Sequence, residues 1–334
     1  MTDRPLEESA SHPAAPDQSD LLAALGEPLI PIAPPGYRSG FVGIIGRPNV
    51  GKSTLMNQLV GQKISITSPV AQTTRNRLRG ILTTPDAQII FVDTPGIHKP
   101  HHQLGEVLVK NAQIAIDSVD VVLFVVDGSV PSGKGDRFVT DLIRRTETPV
   151  ILGLNKIDQQ PEDREAIEQI DQTYAEIAQE RDWSLVKFSA LSGAGLEELQ
   201  ATLVGALEPG PYYYPPDLVT DQPERFIMGE LIREQILLHT REEVPHSVAI
   251  AIDRVEEAPD ITRILATINV ERNSQKGIII GKSGQMLKTI GSAARQQIQK
   301  LVMGKVYLEL FVRVQPKWRQ SRNQLAEFGY RVEE

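Results

Sequence analysis

Gly46-Arg47-Pro48-Asn49-Val50-Gly51-Lys52-Ser53 sets two glycines, a lysine and a hydroxyl at the spacing G-x-x-x-x-G-K-[ST]. That spacing is made for phosphate. Glycines let the backbone N–H groups close on a polyanion, a helix N-terminus adds its partial positive charge, the lysine reaches the β/γ-phosphates and the hydroxyl binds Mg²⁺. The flanks are right for it. An apolar run at 41–45 reads as a buried strand, and 52–60 reads as a helix. Three further segments carry compatible chemistry. Asp93-Thr94-Pro95-Gly96 offers a carboxylate for a water-mediated hold on Mg²⁺ and, at Gly96, an N–H for a γ-phosphate. Asn155-Lys156-Ile157-Asp158 offers Asp158 to the paired N–H donors of guanine, the Lys156 stem to the face of the base and Asn155 to the neighbouring loops. Adenine lacks the donor pair and would leave the carboxylate unpaired. Ser189-Ala190-Leu191 brings the Ala190 N–H to where guanine O6 would lie. Together these select GTP over ATP.

The elements needed to position these segments are present. Strands are expected at 41–45, 78–83, 89–92, 121–126, 150–154 and 185–188, several of them apolar without alternation, as in a sheet covered on both faces. Pro85-Asp86 marks a hairpin between the second and third strands. Helices are expected at 52–60, 104–118, 137–146, 161–181 and 195–207. This is a doubly wound α/β pattern with a mostly parallel sheet, and every motif falls at the carboxyl end of a strand, where such sheets bind ligands.

The chain has 334 residues, no cysteine and a formal charge of −8. Disulfides, thiolate metal sites and cysteine nucleophiles are excluded, and no apolar run approaches the roughly 18 residues of a membrane span. Residues 1–38 hold seven of the 23 prolines and read as a disordered tail without a secretory signal. The charge is uneven: residues 276–320 carry nine Lys or Arg and one acid, Glu309, so that stretch stands at +8 and the remainder at −16. A polyanionic partner is expected there.

Tyr212-Tyr213-Tyr214-Pro215-Pro216 marks a connection over 211–221 between a domain at 39–210 and a second at 222–334. The second has the order α-β-β-α-α-β, with Gly281-Lys282-Ser283-Gly284 between two helices. The two glycines admit a nucleic-acid phosphate, helix N–H groups face it and Lys282 adds charge. Ile278, Ile279 and Ile280 are expected to line a groove for single-stranded bases. This order matches a KH domain of the type II topology. His98, His101 and His102 read as switch-loop residues rather than a metal site.

The order GRPNVGKS, DTPG, NKID, SAL resembles the translation-factor-related GTPases of the Ras-like superfamily. That resemblance places a switch threonine at Thr74, with Thr73 as the neighbouring alternative, on Mg²⁺ and the γ-phosphate. It also exposes a departure: Ile97 stands where Ras-like proteins carry a water-orienting glutamine. Asn49 is similar to the residue that binds K⁺ in potassium-stimulated relatives. Slow intrinsic hydrolysis, accelerated by K⁺ or a partner, is the expectation. With AQTTR, YYYPPD, GIIIGKSG and PKWRQ added, residues 38–334 closely resemble the bacterial Era GTPases. The resemblance implies a cytoplasmic, monomeric switch on the 3′ end of 16S rRNA that assists 30S subunit assembly, with loose association at the inner face of the plasma membrane. It implies catalytic roles for Lys52, Thr74 and Gly96, and RNA contacts at Ile280, Gly281, Lys282, Ser283, Gly284, Lys288 and Arg295. A membrane-associated signalling switch is the alternative from another class, since a basic face also suits anionic headgroups.

Overall fold

Apolar strands without alternation must be covered twice, and they are. In the first sheet Val42, Ile44, Phe91, Leu123 and Val125 face one buried cluster, while Ile45, Val122, Phe124, Val126 and Leu152 face the other. The structure, a computed structural model, describes residues 30–68, 78–97, 113–114, 116–241, 244, 247–321, 324 and 328. Thr73, Thr74, His98, His101, His102 and most of the helix expected at 104–118 lie outside the described residues.

The first sheet comprises β1 (Arg38–Ile45), β2 (Leu78–Thr83), β3 (Ala87–Asp93), β4 (Val121–Asp127), β5 (Val150–Asn155) and β6 (Ser184–Lys187), in the order β2-β3-β1-β4-β5-β6. Only the β2–β3 hairpin is antiparallel. The chain leaves β1 for helix α1 (Lys52–Val60), and β1 lies between β3 and β4, so the phosphate loop stands at the switch point of the sheet. Around it lie α2 (Lys134–Ile143), α3 (Arg164–Arg181) and α4 (Leu196–Ala206). Helix α2 begins three residues before its expected start because the Asp136 carboxylate accepts the Gly133 N–H at 2.9 Å and caps it.

Helix α5 (Glu224–His239) opens the second unit. It packs with α6 (Asn273–Ile280) and α7 (Gln285–Ile298) on a sheet of β7 (Ala249–Ala258), β8 (Ile261–Val270) and β9 (Lys305–Val314), antiparallel then parallel. Helix α7 ends at Ile298, where its last turn passes into the residues before β9. Trp318 closes this core, fully buried, its indole N–H donated to Ser247 O at 3.0 Å.

One boundary shifts. The stretch expected to be tail ends earlier than residue 38: Arg38 starts β1, and buried Tyr37 meets the Tyr212 ring at 4.4 Å. The 211–221 connection is docked on the β2–β3 hairpin. Gln88 Oε1 accepts the N–H groups of Tyr213 and Tyr214 at 2.8 and 3.0 Å, Val219 O accepts Ile81 N–H at 2.8 Å, and Arg79 meets Asp221 at 2.8 Å.

Candidate functional site: a guanine-nucleotide cradle and a GxxG loop

The phosphate loop is shaped by contacts from the helix it opens and from the turns beside it. Gly51 caps α1 in the left-handed region (φ 97), and Leu55, Met56 and Leu59 bury the inner face of the helix. Lys52 folds back over the loop, its Nζ donating to Arg47 O at 2.9 Å and Gly46 O at 3.2 Å. Burial pushes its pKa down to about 8, against the pull of Asp93. Arg47 pairs with buried Asp136 at 2.6 Å, the same carboxylate that caps α2, so the loop is braced from outside. Pro48 is backed by Gly96: a Cβ on that glycine would meet Pro48 Cα at 2.7 Å. This close approach brings the Asp93–Gly96 turn against the loop. Thr94 Oγ1 holds Ile44 O at 2.9 Å, and Ile97 N–H holds Gly46 O at 3.0 Å.

Ser53 Oγ donates to Asp93 Oδ2 at 2.8 Å, and Ser65 Oγ donates to the same oxygen at 3.3 Å. The donor set is all oxygen, which suits Mg²⁺. That ion takes one or two protein ligands and completes its shell with water and phosphate. Among the described residues no group of three or more His, Asp or Glu forms a metal cluster. The Ile97 side chain is buried against the sheet in the cluster of Ile45, Ile116 and Val122, so it neither faces the cradle nor could hold a water. Asn49 is exposed, with its backbone in the left-handed region (φ 63) that asparagine tolerates.

The base side is organised by Asn155, buried at the end of β5. Its Nδ2 donates to Val50 O and its Oδ1 accepts Ala190 N–H, both at 2.8 Å, so one side chain joins the phosphate loop to two others. The Ala190 N–H expected near guanine O6 is the one that donates to Asn155. Asp158 is exposed in a short 3₁₀ turn, Ile157–Gln159, and Leu191 is exposed beside buried Ser189. Lys156, left-handed at φ 67, donates to Asp127 Oδ2 at 2.6 Å. Burial works to raise the Asp127 carboxyl, but hydrogen bonds from Lys156 and Ser129 outweigh it and hold its pKa below the usual range. Sequence reading passed over Asp127, although its place at the carboxyl end of β4 was signal enough.

In the second unit Gly281 (φ 70), Ser283 (φ 51) and Gly284 (φ 78) turn the chain between α6 and α7. A Cβ on Gly281 would lie 2.6 Å from Met286 Cβ, so only glycine allows this tight turn. Lys282, Ser283, Lys288 and Arg295 are exposed, and Ile280 is half-buried. Lys288 and Arg295, seven residues apart on α7, share a face. The expected line of three isoleucines is corrected: Ile278 is exposed beside the loop, but Ile279 is fully buried in the core, because consecutive helical residues point about 100° apart.

A family model described as 50S ribosome-binding GTPase matches residues 41–156, and a KH domain model matches 243–319. GTPase Era of Nostoc sp. is 76% identical over 309 residues, covering 92% of this chain and 94% of that protein. The chain belongs to the Era GTPase family. GTPase Era of Rippkaea orientalis is 70% identical over 304 residues, covering 91% of this chain and 96% of that protein. Among solved structures, Era in complex with MgGDPNP and nucleotides 1506–1542 of 16S ribosomal RNA is similar at TM-score 0.81 and 40% identity, covering 89% of this chain and all of that one. A variant of Era from Aquifex aeolicus bound to GDP·AlF₄⁻ is similar at TM-score 0.81 and 39% identity, covering 88% of this chain and all of that one. The protein is thus a GTP hydrolase, a P-loop GTPase domain followed by a KH domain. Among the described residues, no helix is long and apolar enough to cross a membrane.

Proposed function

We propose that this protein is a GTP-dependent switch that grips the single-stranded 3′ end of 16S rRNA and assists 30S subunit assembly. The observation that carries this reading is the Gly281–Gly284 turn, with Lys282 and Ser283 exposed in it, Ile278 exposed before it and Lys288 and Arg295 exposed along the helix after it, on a chain whose other unit builds a guanine-nucleotide cradle. The similar Era bound to a 16S rRNA fragment supports the choice of RNA. The nucleotide is held by Gly46, Arg47, Pro48, Asn49, Val50, Gly51, Lys52 and Ser53, by Asp93, Thr94, Pro95 and Gly96, and by Asn155, Lys156, Asp158 and Ser189, Ala190 and Leu191. Mg²⁺ is held by Ser53, by Asp93 through water and by Thr74. The nucleotide unit begins with Tyr37 and Arg38 and runs to 210, and the RNA unit spans 222–334. The protein acts as a monomer in the cytoplasm, and the same basic face would give it a loose hold on anionic lipid.

Filter binding of a single-stranded 16S rRNA 3′ fragment, across a salt series and with GTP or GDP, tests the RNA reading. Gly284→Asp puts a carboxylate where nothing lies within 4 Å, on a backbone at φ 78 that disfavours it. It should weaken binding about tenfold or more, since one charge-assisted phosphate contact is worth about 1.5–3 kcal/mol. Equal binding by both proteins would defeat the proposal.

The intrinsic rate is slow, because no side chain at position 97 orients the attacking water. K⁺ at Asn49 supplies the missing positive charge on the phosphates. Turnover measured in K⁺ and then in Na⁺ at equal ionic strength should differ severalfold, and identical rates would remove the cation from the account.

A further inference from the structure

The middle of α5 buries Glu230, Arg233, Glu234 and Gln235. Burying charge is costly unless every charge is met, so such a cluster is weak evidence for stability alone. Glu230 and Arg233 meet each other at 2.5 Å. Glu234 instead leaves its own unit. Its Oε2 accepts Lys63 Nζ at 2.6 Å, and its Oε1 accepts the Thr67 N–H at 2.8 Å and the Thr67 hydroxyl at 3.3 Å. Gln235 adds a bond to Oε2 at 3.2 Å.

Both partners stand on the loop of residues 61–68 that leaves α1. Between them sits Ser65, whose hydroxyl reaches Asp93 Oδ2. Asn57 fixes the middle of this loop from α1: its Oδ1 accepts the N–H groups of Ile64 and Ser65 at 3.0 and 2.8 Å, and its Nδ2 donates to Ser65 O at 2.7 Å. The loop is thus held at two places, by Asn57 within its own unit and by Glu234 from the other.

We propose that Glu234 is a positioning residue for the GTPase site, supplied in cis by the RNA-binding unit: by clasping Lys63 and Thr67 it holds Ser65 against Asp93 and so sets the carboxylate that faces Mg²⁺. A displacement of α5 then reaches the metal site without touching the nucleotide. The inference rests on the assignment of Asp93 to Mg²⁺ and not on the identity of the RNA.

The test uses the full chain without RNA. Dissociation of a fluorescent GDP is followed across a Mg²⁺ series for wild type, Glu234→Ala, Glu234→Gln and Lys63→Met, with hydrogen exchange at Thr67 and the melting temperature measured alongside. In Glu234→Ala the Mg²⁺ concentration that half-suppresses GDP release should rise about tenfold, one such hydrogen-bonded charge being worth about that factor. Release in EDTA should match wild type, since the base contacts are untouched, and Thr67 protection should fall. Glu234→Gln retains an acceptor for the Thr67 N–H and loses the ion pair, as does Lys63→Met, and both should shift part of the way. These two carry the test if the alanine variant fails to fold. An unchanged Mg²⁺ midpoint in the folded variants, whatever happens to melting temperature, would overturn the proposal. A wild-type protein that fails to bind RNA would defeat the functional reading and leave this result standing.

Discussion

Lys52 is the residue at which the nucleotide site and the fold oppose each other. Its ammonium is buried with two carbonyls and a neighbouring carboxylate, and its pKa is pushed down to about 8. The folded value lies below the unfolded one. The folded chain therefore sheds this proton first, so the burial penalty is fully present below about pH 8 and is relieved as pH rises toward the free lysine value. A bound triphosphate reverses the balance by placing negative charge beside the ammonium. Above about pH 8 nucleotide binding must then take up a proton. Titration of a fluorescent GTP analogue should give constant affinity below that pH and a loss approaching tenfold per unit above it. A profile flat to about pH 9.5 would show that Lys52 stays charged in the free protein. The motif announces Lys52 and its neighbours without ambiguity, because phosphate chemistry needs those types in that order. It says nothing of Asp136 or Asp127, which brace Arg47 and Lys156, because a brace is defined by distance in space and has no spacing along the chain.

At the scale of elements, legibility follows how local the cause is. The strands of the first sheet were readable within one to three residues, since an apolar run bounded by turn residues has few other fates. The antiparallel hairpin at β2–β3 was readable from Pro85-Asp86, and the GxxG turn from its two glycines. The start of α2 was less so: a glycine precedes it, and the capping carboxylate lies inside the helix at Asp136. The groove was half legible. Three successive isoleucines announce an apolar surface, but helical geometry divides them, sending Ile279 to the core and Ile278 to solvent. Least legible was the connection after α4. Its tyrosines and prolines mark a boundary, while the bonds that dock it, from Gln88 and Ile81, come from a hairpin more than a hundred residues away. The same holds for α5, whose pattern shows a helix but not that Glu234 reaches Lys63 across 171 positions.

For the whole molecule, the decisive feature is that one apolar cluster runs through both units. It joins Leu59, Ile64, Ile66 and Leu78 to Ile227, Met228, Leu231 and Ile232, and continues to Ile264, Ile290 and Val306. With the Glu234 clasp and the docked connection, this continuity argues that the two units melt together. The two tryptophans report on them separately. Trp183 lies edge-on to Phe124 at 6.3 Å in the first unit, and Trp318 lies edge-on to Phe328 at 5.5 Å in the second. Conservative single replacements, Trp183→Phe and Trp318→Phe, leave one probe in each half. Without nucleotide the two proteins should each show one fluorescence transition, displaced from each other by no more than the substitutions themselves cost. GDP with Mg²⁺ at about a hundred times its dissociation constant adds about 2.7 kcal/mol to whatever unfolds with the site. For roughly 300 residues unfolding together that is a rise of about 4 °C. If the core is one cooperative body, the Trp318 transition, on the side of the molecule that holds no nucleotide, rises with the Trp183 transition. A Trp318 midpoint indifferent to GDP would mean that stability gained in the cradle stops at the interface, and a switch built on this chain would then have to signal through contacts too weak to carry it.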